Sequence, residues 1–268
     1  MKSISILGCG WLGLPLAKHF VEKGYQVKGS TTTASKMSLL EKIGIMAFNF
    51  QLPAEDPPRE FFQSECLIIN IPPKVQREGV KYHFNGVKSI LKFIPPHQKL
   101  IYISSTSVYP MVDYPITEEH ELRKDSERAQ ALIQTEQLLL TRFKERLTVI
   151  RLGGLLGYER IPGRYYSGKK LIQHQQKVNY IHRDDAIGII EAVQQQGKRG
   201  SILNAVAPIH PTKKETFLKN AQDFNFTPPD FGNNKQELTN RLVESSKIES
   251  ILDYSFIYPD PLHFYYTN

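Results

Sequence analysis

Cysteine is nearly absent from this chain. Of 268 residues only Cys9 and Cys66 are cysteines, and both fall in apolar strand or strand-end stretches. That excludes a disulfide scaffold and fits small core residues in a reducing compartment. Neither a CxxC nor an HxxxH pair occurs, so no motif argues for a metal site. No apolar run reaches membrane length. The first residues, Lys2 and the apolar run behind it, have the outline of a secretory leader, but three glycines and Pro15 interrupt it. A cytoplasmic protein that does not engage a membrane is expected.

Basic blocks are missing as well. The net charge of +7, from 34 basic and 27 acidic residues, favours anionic partners. Yet no run of five or more basic residues and no arginine–aromatic repeat occurs, so the charge reads as spread over a solvated surface. This argues against nucleic acid and points to a phosphorylated small molecule. Internal repeats and low-complexity segments are absent too. A hydrophobic content of 40% and a charged content of 23% are ordinary for a globular chain. The length allows one large domain or a domain with a smaller lobe.

What is present begins at the N-terminus. Ile4-Ser5-Ile6-Leu7 reads as a strand, and Gly8-Cys9-Gly10-Trp11-Leu12-Gly13 follows it as a G-x-G-x-x-G turn. Such a turn delivers bare backbone N–H groups to the positive end of a helix, where a pyrophosphate can sit. Leu12, Leu16, Ala17, Phe20 and Val21 recur at helical spacing, Pro15 is tolerable in the first turn, and Gly24 is placed to end the helix. Tyr25–Gly29 reads as the second strand, which completes the strand–helix–strand context that a dinucleotide fingerprint needs.

An NAD-preferring site places a carboxylate after that second strand. Here the run is Gly29-Ser30-Thr31-Thr32-Thr33-Ala34-Ser35-Lys36. Hydroxyls and a lysine suit a ribose 2′-phosphate, so NADP is expected, with NAD as the alternative; the same run also reads as an ordinary Ser/Thr cap for a helix over 36–43. Farther on, strands are expected at 47–50, 66–71, 100–103 and 147–152, and helices at 80–91 and 125–146. An apolar stripe of Ala129, Leu132, Ile133, Leu140 and Phe143 marks the last of these. Asn70-Ile71-Pro72-Pro73 cannot continue a strand and should form the lip of a cleft. This alternation argues for an α/β fold, a Rossmann-type doubly wound parallel sheet with ligands at the carboxyl ends of its strands. The core is expected over 1–155. A small C-terminal α+β lobe for substrate is expected over 156–268, with about 178–206 returning to the core.

The chain resembles the extended short-chain dehydrogenase/reductases, the NAD(P)-dependent epimerases and dehydratases. The matching pieces are the glycine turn, Ser104-Ser105-Thr106-Ser107-Val108-Tyr109, Ile150-Arg151-Leu152-Gly153-Gly154, Tyr180-Ile181-His182-Arg183-Asp184-Asp185-Ala186 and Ile202-Leu203-Asn204-Ala205. They run in the family's order over about residues 2–210. The G-x-G-x-x-G spacing with Trp11-Leu12-Gly13 looks like the atypical bacterial YeeZ-like branch. The resemblance implies an oxidoreductase or epimerase-like activity. Its cofactor contacts would be Gly8, Gly10, Trp11, Leu12, Gly13, Ser30, Thr31, Thr32 and Lys36, with Asn70, Ile71, Pro72 and Ser104 at later strand ends. Ser105 matches the catalytic Ser/Thr. Thr106, Arg164, Tyr166 and Lys169 are expected to form a substrate lip.

One departure is chemical. Family members carry Tyr-x-x-x-Lys on the helix after the fifth strand, the lysine lowering the tyrosine's pKa. Anchored on Thr135-Glu136-Gln137, those positions fall on Arg128 and Leu132. Tyr165/Lys169 and Tyr166/Lys170 have the right spacing but lie in a glycine-interrupted stretch. His182 and Asp185 match a segment that holds the C-terminal lobe, and both read as structural. The substrate is left as a small molecule, anionic or nucleotide-linked, and a homodimer is compatible with the family. The rival reading is a non-catalytic NAD(P)-binding sensor or interaction protein, because a fold alone confers no activity.

Overall fold

The computed structural model describes residues 2–123, 125–196, 200–232 and 240–268. The first elements are β1 (Ser3–Leu7), α1 (Gly13–Glu22), β2 (Gln26–Thr31), α2 (Met37–Lys42), β3 (Met46–Asn49) and β4 (Cys66–Ile69). Next come α3 (Val75–Glu78), α4 (Val80–Ile90), β5 (Lys99–Ser105), β6 (Pro115–Ile116), α5 (Glu127–Phe143), β7 (Leu147–Leu152), β8 (Gly154–Leu156) and β9 (Lys170–Leu171). The chain ends with β10 (Tyr180–His182), α6 (Arg183–Gln196), β11 (Ser201–Ala205), α7 (Lys213–Asp223), β12 (Asp230–Phe231), β13 (Leu242–Val243) and α8 (Ser246–Leu252). No helix among the described residues is long and apolar enough to cross a membrane.

Seven strands form one sheet in the order β11-β7-β5-β4-β1-β2-β3. The pairs β1–β2, β2–β3, β1–β4 and β4–β5 are all parallel. This is a doubly wound sheet: the chain builds outward from β1 through β2 and β3, then restarts at β4 on the other side. Its switch point therefore lies between β1 and β4, where such sheets open a crevice at the carboxyl ends of their strands.

The chain divides into two compact units of interleaved stretches. The first comprises residues 1–108, 122–151 and 193–202, the second 109–121, 152–192 and 203–268. In the first unit, β4 is a continuous apolar run, and all four of its residues are buried. That is what a strand covered on both faces requires. Within the β3–β4 connection, Phe61 stacks edge-on against Phe48, Phe50 and Phe62. Each fully buried aromatic or aliphatic side chain there contributes about 1.5–3 kcal/mol.

The second unit is built from short parallel pairs, β8 with β10, β9 with β12 and β6 with β13. Leu156, Ile161, Ala207, Phe264 and Tyr266 make a core cluster within it. Helix α7 opens on a capping box in which Thr212 and Glu215 satisfy each other's backbone N–H groups.

Candidate functional site

The glycine turn sits directly on the switch point. Asn70, the first residue past β4, donates its backbone N–H to the Leu7 carbonyl at 2.9 Å. Its side-chain amide donates to the Gly8 carbonyl at 3.1 Å. Ser30 holds the turn from the β2 side: its hydroxyl accepts from Gly8 N–H at 2.9 Å, and its carbonyl accepts from Cys9 N–H at 2.8 Å. Sequence reasoning expected Ser30 as a cofactor contact. In the structure its hydroxyl is a prop beneath the loop, and Ser30 is buried.

The three glycines do different work. Gly8 has φ +105°, and a Cβ there would lie 2.5 Å from the Asn70 carbonyl oxygen. A Cβ on Gly13 would press into the Gly8 carbonyl and stand 2.9 Å from the Asn70 amide nitrogen. Gly10 is exposed, and a Cβ on it would meet nothing within 4 Å. The first and third glycines are thus demanded by the packing of the turn itself. The second is bare although the protein leaves room for a side chain.

Helix α1 begins behind Gly10 with no side chain capping it and no acidic residue in its first turn. An uncapped helix start of this kind suits a phosphate. Cys9 takes no part in chemistry here, because burial pushes its thiol up to about 12. Gly29 is what lets Cys9 pack: a Cβ on it would come 2.7 Å from the sulfur.

Strand β2 runs two residues beyond the expected Gly29 and ends at Thr31. The Thr31 hydroxyl accepts from Thr33 N–H at 3.1 Å, while Thr32 and Lys36 are exposed. Thr33 places no side-chain cap on the turn Ala34–Lys36 that follows. The hydroxyl run is therefore not an ordinary helix cap. Ser30 and Thr31 are buried, whereas Thr32, Thr33, Ser35 and Lys36 form an exposed rim of hydroxyls and one ammonium beyond the carboxyl end of β2.

At the end of β5, neighbouring serines part company. Ser104 is 5% exposed and donates its hydroxyl to Glu136 Oε1 at 2.5 Å. Glu136 in turn accepts from Arg151 at 2.6 Å, with both side chains sealed from water. Strand alternation sends Ser105 to the other face. Ser104 accordingly leaves the expected set of cofactor contacts, because its hydroxyl is committed inside the sheet–helix layer. Ser105 is half-buried, and its Oγ accepts from Ser107 N–H at 3.2 Å, which leaves its own hydrogen to donate. Thr106, expected on the substrate lip, is 4% exposed and belongs to the core.

Two buried side chains that sequence reasoning missed lie beneath this edge. His83 of α4 and Tyr102 of β5 share a hydrogen bond, Nε2 to hydroxyl, of 2.7 Å. Burial pushes His83 down to about 4, helped by the positive charge of Arg128 and opposed by the Pro72 carbonyl. Burial likewise holds the Tyr102 hydroxyl well above its ordinary range, with the Glu136 carboxylate adding to the rise. Both groups are neutral near pH 7, and Tyr102 is no phenolate base. A histidine among apolar positions of α4 was the available signal, but its partner is 19 residues away.

No family model matches the chain. YeeZ of Escherichia coli K12 is 29% identical over 98% of both chains. A UDP-glucose 4-epimerase from Stenotrophomonas maltophila, solved with bound NAD, superposes with a TM-score of 0.81 at 13% identity, over 98% of this chain and 95% of its own. A dTDP-glucose 4,6-dehydratase from Bacillus anthracis, in complex with NAD, gives 0.78 at 16% identity over 98% and 94%. The chain is similar to YeeZ along its length and has the fold of these epimerase and dehydratase structures. A functionally unknown conserved protein from Silicibacter pomeroyi shares that fold too, with a TM-score of 0.76 at 18% identity over 98% and 96%.

On α5 the chain differs from the Tyr-x-x-x-Lys pattern that the resemblance led one to expect. The helix contains neither tyrosine nor lysine. Arg128 is exposed in its first turn, and Leu132 is buried in the core at 2% exposure.

The remaining predicted residues belong to the second unit. Arg164 donates to Asn268 at 3.2 Å and lies over the Phe224 ring, and Tyr166 stacks on Phe217. The Lys169 ammonium donates to the Tyr165 carbonyl at 2.9 Å. Tyr165 and Tyr166 end a 3-10 turn, with Lys170 already in β9. The two Tyr-x-x-x-Lys strings therefore do not share a helix face.

His182 and Asp185 tie down the C-terminal tail. Asp185 accepts from the Tyr254 hydroxyl at 2.9 Å and from the backbone N–H groups of Ile257 and Tyr258 at 2.7 and 3.0 Å. His182 Nδ1 accepts from Asp184 N–H, and Nε2 lies 3.0 Å from the Tyr265 carbonyl, so Nε2 carries the hydrogen.

Proposed function

We propose that the chain binds a nicotinamide dinucleotide at the glycine turn and acts as an oxidoreductase of the epimerase/dehydratase type. The observation that carries this reading is the difference among the three glycines. Gly8 and Gly13 are required by packing, whereas Gly10 is bare over an open space at an uncapped helix start. A glycine that the fold does not need is accounted for by a ligand that comes close to its backbone. The solved neighbours with bound NAD support a cofactor of the same class.

In this reading the N–H groups from Gly10 to Gly13 hold the pyrophosphate. Thr31, Thr32 and Lys36 take the ribose 2′-phosphate, which makes NADP the preferred cofactor, since no carboxylate occupies the end of β2. Asn70, Ile71 and Pro72 border the same opening. A bound nicotinamide supplies hydride transfer. Ser105 donates to a substrate oxygen and orients it. With neither tyrosine nor lysine on α5, the proton is handled by another group or by water. The substrate class is a small anionic or nucleotide-linked molecule, in keeping with the sugar nucleotides that several solved neighbours bind.

A second reading keeps the cofactor and drops the chemistry, and the pair Arg128 and Leu132 favours it. Incubation with NADPH and a panel of sugar nucleotides and carbonyl compounds separates the two. Substrate-dependent loss of NADPH absorbance, abolished in Ser105→Ala, supports the enzyme. Silence across the panel with NADPH tightly bound supports a sensor.

A further inference from the structure

We propose that Arg128 binds a carboxylate of the substrate at the strand-end edge of the candidate site, which makes it a specificity-determining residue for the activity proposed above and rests on that reading. Helix α5 starts at this edge, since it packs against β5 and against the turn Thr106–Val108 that directly follows Ser105. Arg128 is the second residue of that helix and is exposed.

The position is a poor one for a cation on structural grounds. The amino end of a helix carries the positive end of the macrodipole, and a guanidinium there is repelled. Glu127 shares the turn, but among the described residues no carboxylate forms an ion pair with Arg128. Asp125 is held by Arg123 in a two-pronged pair at 2.7 Å, and Glu136 is held by Arg151. The buried carboxylate of Glu136 is neutralised by Arg151. The charge of Arg128 bears on both His83 and Tyr102, and both of those groups are neutral. The result is a positive charge facing solvent at the strand-end edge, with no described carboxylate paired to it.

The chemistry of the group suits an oxyanion. A guanidinium presents a planar fork that matches a carboxylate with two parallel hydrogen bonds, one charge to one charge. UDP-glucuronate and UDP-glucose make a clean pair of probes, because they differ only in a carboxylate that replaces a hydroxymethyl group. Calorimetric titration of the full chain with each, with and without saturating NADP, reads the preference directly.

The wild type is expected to bind UDP-glucuronate at least tenfold more tightly than UDP-glucose. Arg128→Gln should bring that ratio close to one, and Arg128→Lys should restore part of it. In both variants NADP affinity stays within about twofold, because Arg128 lies outside the glycine turn, and Arg128→Gln melts no lower than the wild type, because it removes a cation from the helix start. The proposal is overturned if the wild type shows no preference, if it binds neither sugar nucleotide, or if Arg128→Gln keeps the preference. Failure of the cofactor reading would show itself separately, as absence of NADP binding to the wild type, and leaves the probe ratio readable.

Discussion

Alanine at each glycine of the turn separates a demand of the fold from a demand of the ligand. At Gly10 the new methyl meets nothing within 4 Å, and the backbone is not in the left-handed region. Stability should change by less than about 1 kcal/mol, with a slight gain from the stiffer unfolded chain. The same methyl stands where a pyrophosphate must approach. Loss of two charge-assisted hydrogen bonds at about 1.5–3 kcal/mol each removes ~3 kcal/mol or more, over a hundredfold in Kd. At Gly13 the methyl collides with the Gly8 carbonyl, and at Gly8 it meets both a positive φ and the Asn70 carbonyl. Each of these should cost about 1–3 kcal/mol or more, a fall of roughly 2–4 °C in Tm per kcal/mol. The assay is thermal unfolding paired with NADP titration for the three variants. The reasoning is refuted if Gly10→Ala binds NADP as the wild type does while melting at the same temperature. It is equally refuted if Gly10→Ala unfolds as readily as Gly13→Ala.

Three further outcomes follow from buried polar groups. Glu136→Gln should cost about 3–5 kcal/mol by stranding Arg151, whereas the double change Glu136→Leu with Arg151→Met should cost much less; urea unfolding of both variants checks this, and additive losses contradict it. His83, held near 4 in the folded chain against about 6.5 when unfolded, takes up its proton first in the unfolded state, so its contribution is present above pH 6.5 and is lost as the pH falls toward 4. Between pH 7 and 5 the wild type should lose about 2 kcal/mol more than His83→Gln, and equal losses would refute that assignment. Asp185→Ala leaves three donors of the C-terminal tail without their acceptor. Limited proteolysis should then cut within 253–268 far faster than in the wild type, and an unchanged digestion rate would count against the strap.

The order of strands and helices was legible because its signals are local. Glycines and prolines punctuate the chain at the turns they form, and apolar periodicity marks α1 and β4 within a few residues of their limits. The limits moved where a distant partner took over. Strand β2 continues to Thr31 because Ser30 is needed beneath Gly8, 22 residues earlier in the chain. The expected helix over 125–146 starts at Glu127, where the Ser126 hydroxyl accepts from Ala129 N–H, and stops at Phe143 before Lys144 at φ 46°.

The buried face of that helix holds Thr135, Glu136 and Leu139, not Ile133 and Leu140. Periodicity cannot propose a buried glutamate, because its acceptability depends on Arg151 in β7. A charged residue inside the apolar strand Leu147–Leu152 was the one hint. Of the candidate site, the positions of the glycine turn after β1 and of Ser105 at the end of β5 were readable from motif and place. The commitment of Ser104 and the neutral pair beneath Arg128 were not, since both are made by contacts between elements far apart in the chain.

The central claim is that a nicotinamide dinucleotide binds at the glycine turn. Titration of the wild-type chain with NADP and with NAD tests it most directly. Saturable one-to-one binding, at least tenfold tighter for NADP, is the predicted result. Tighter NAD binding would refute the role given to Thr31, Thr32 and Lys36, and failure of both to bind would contradict the account as a whole.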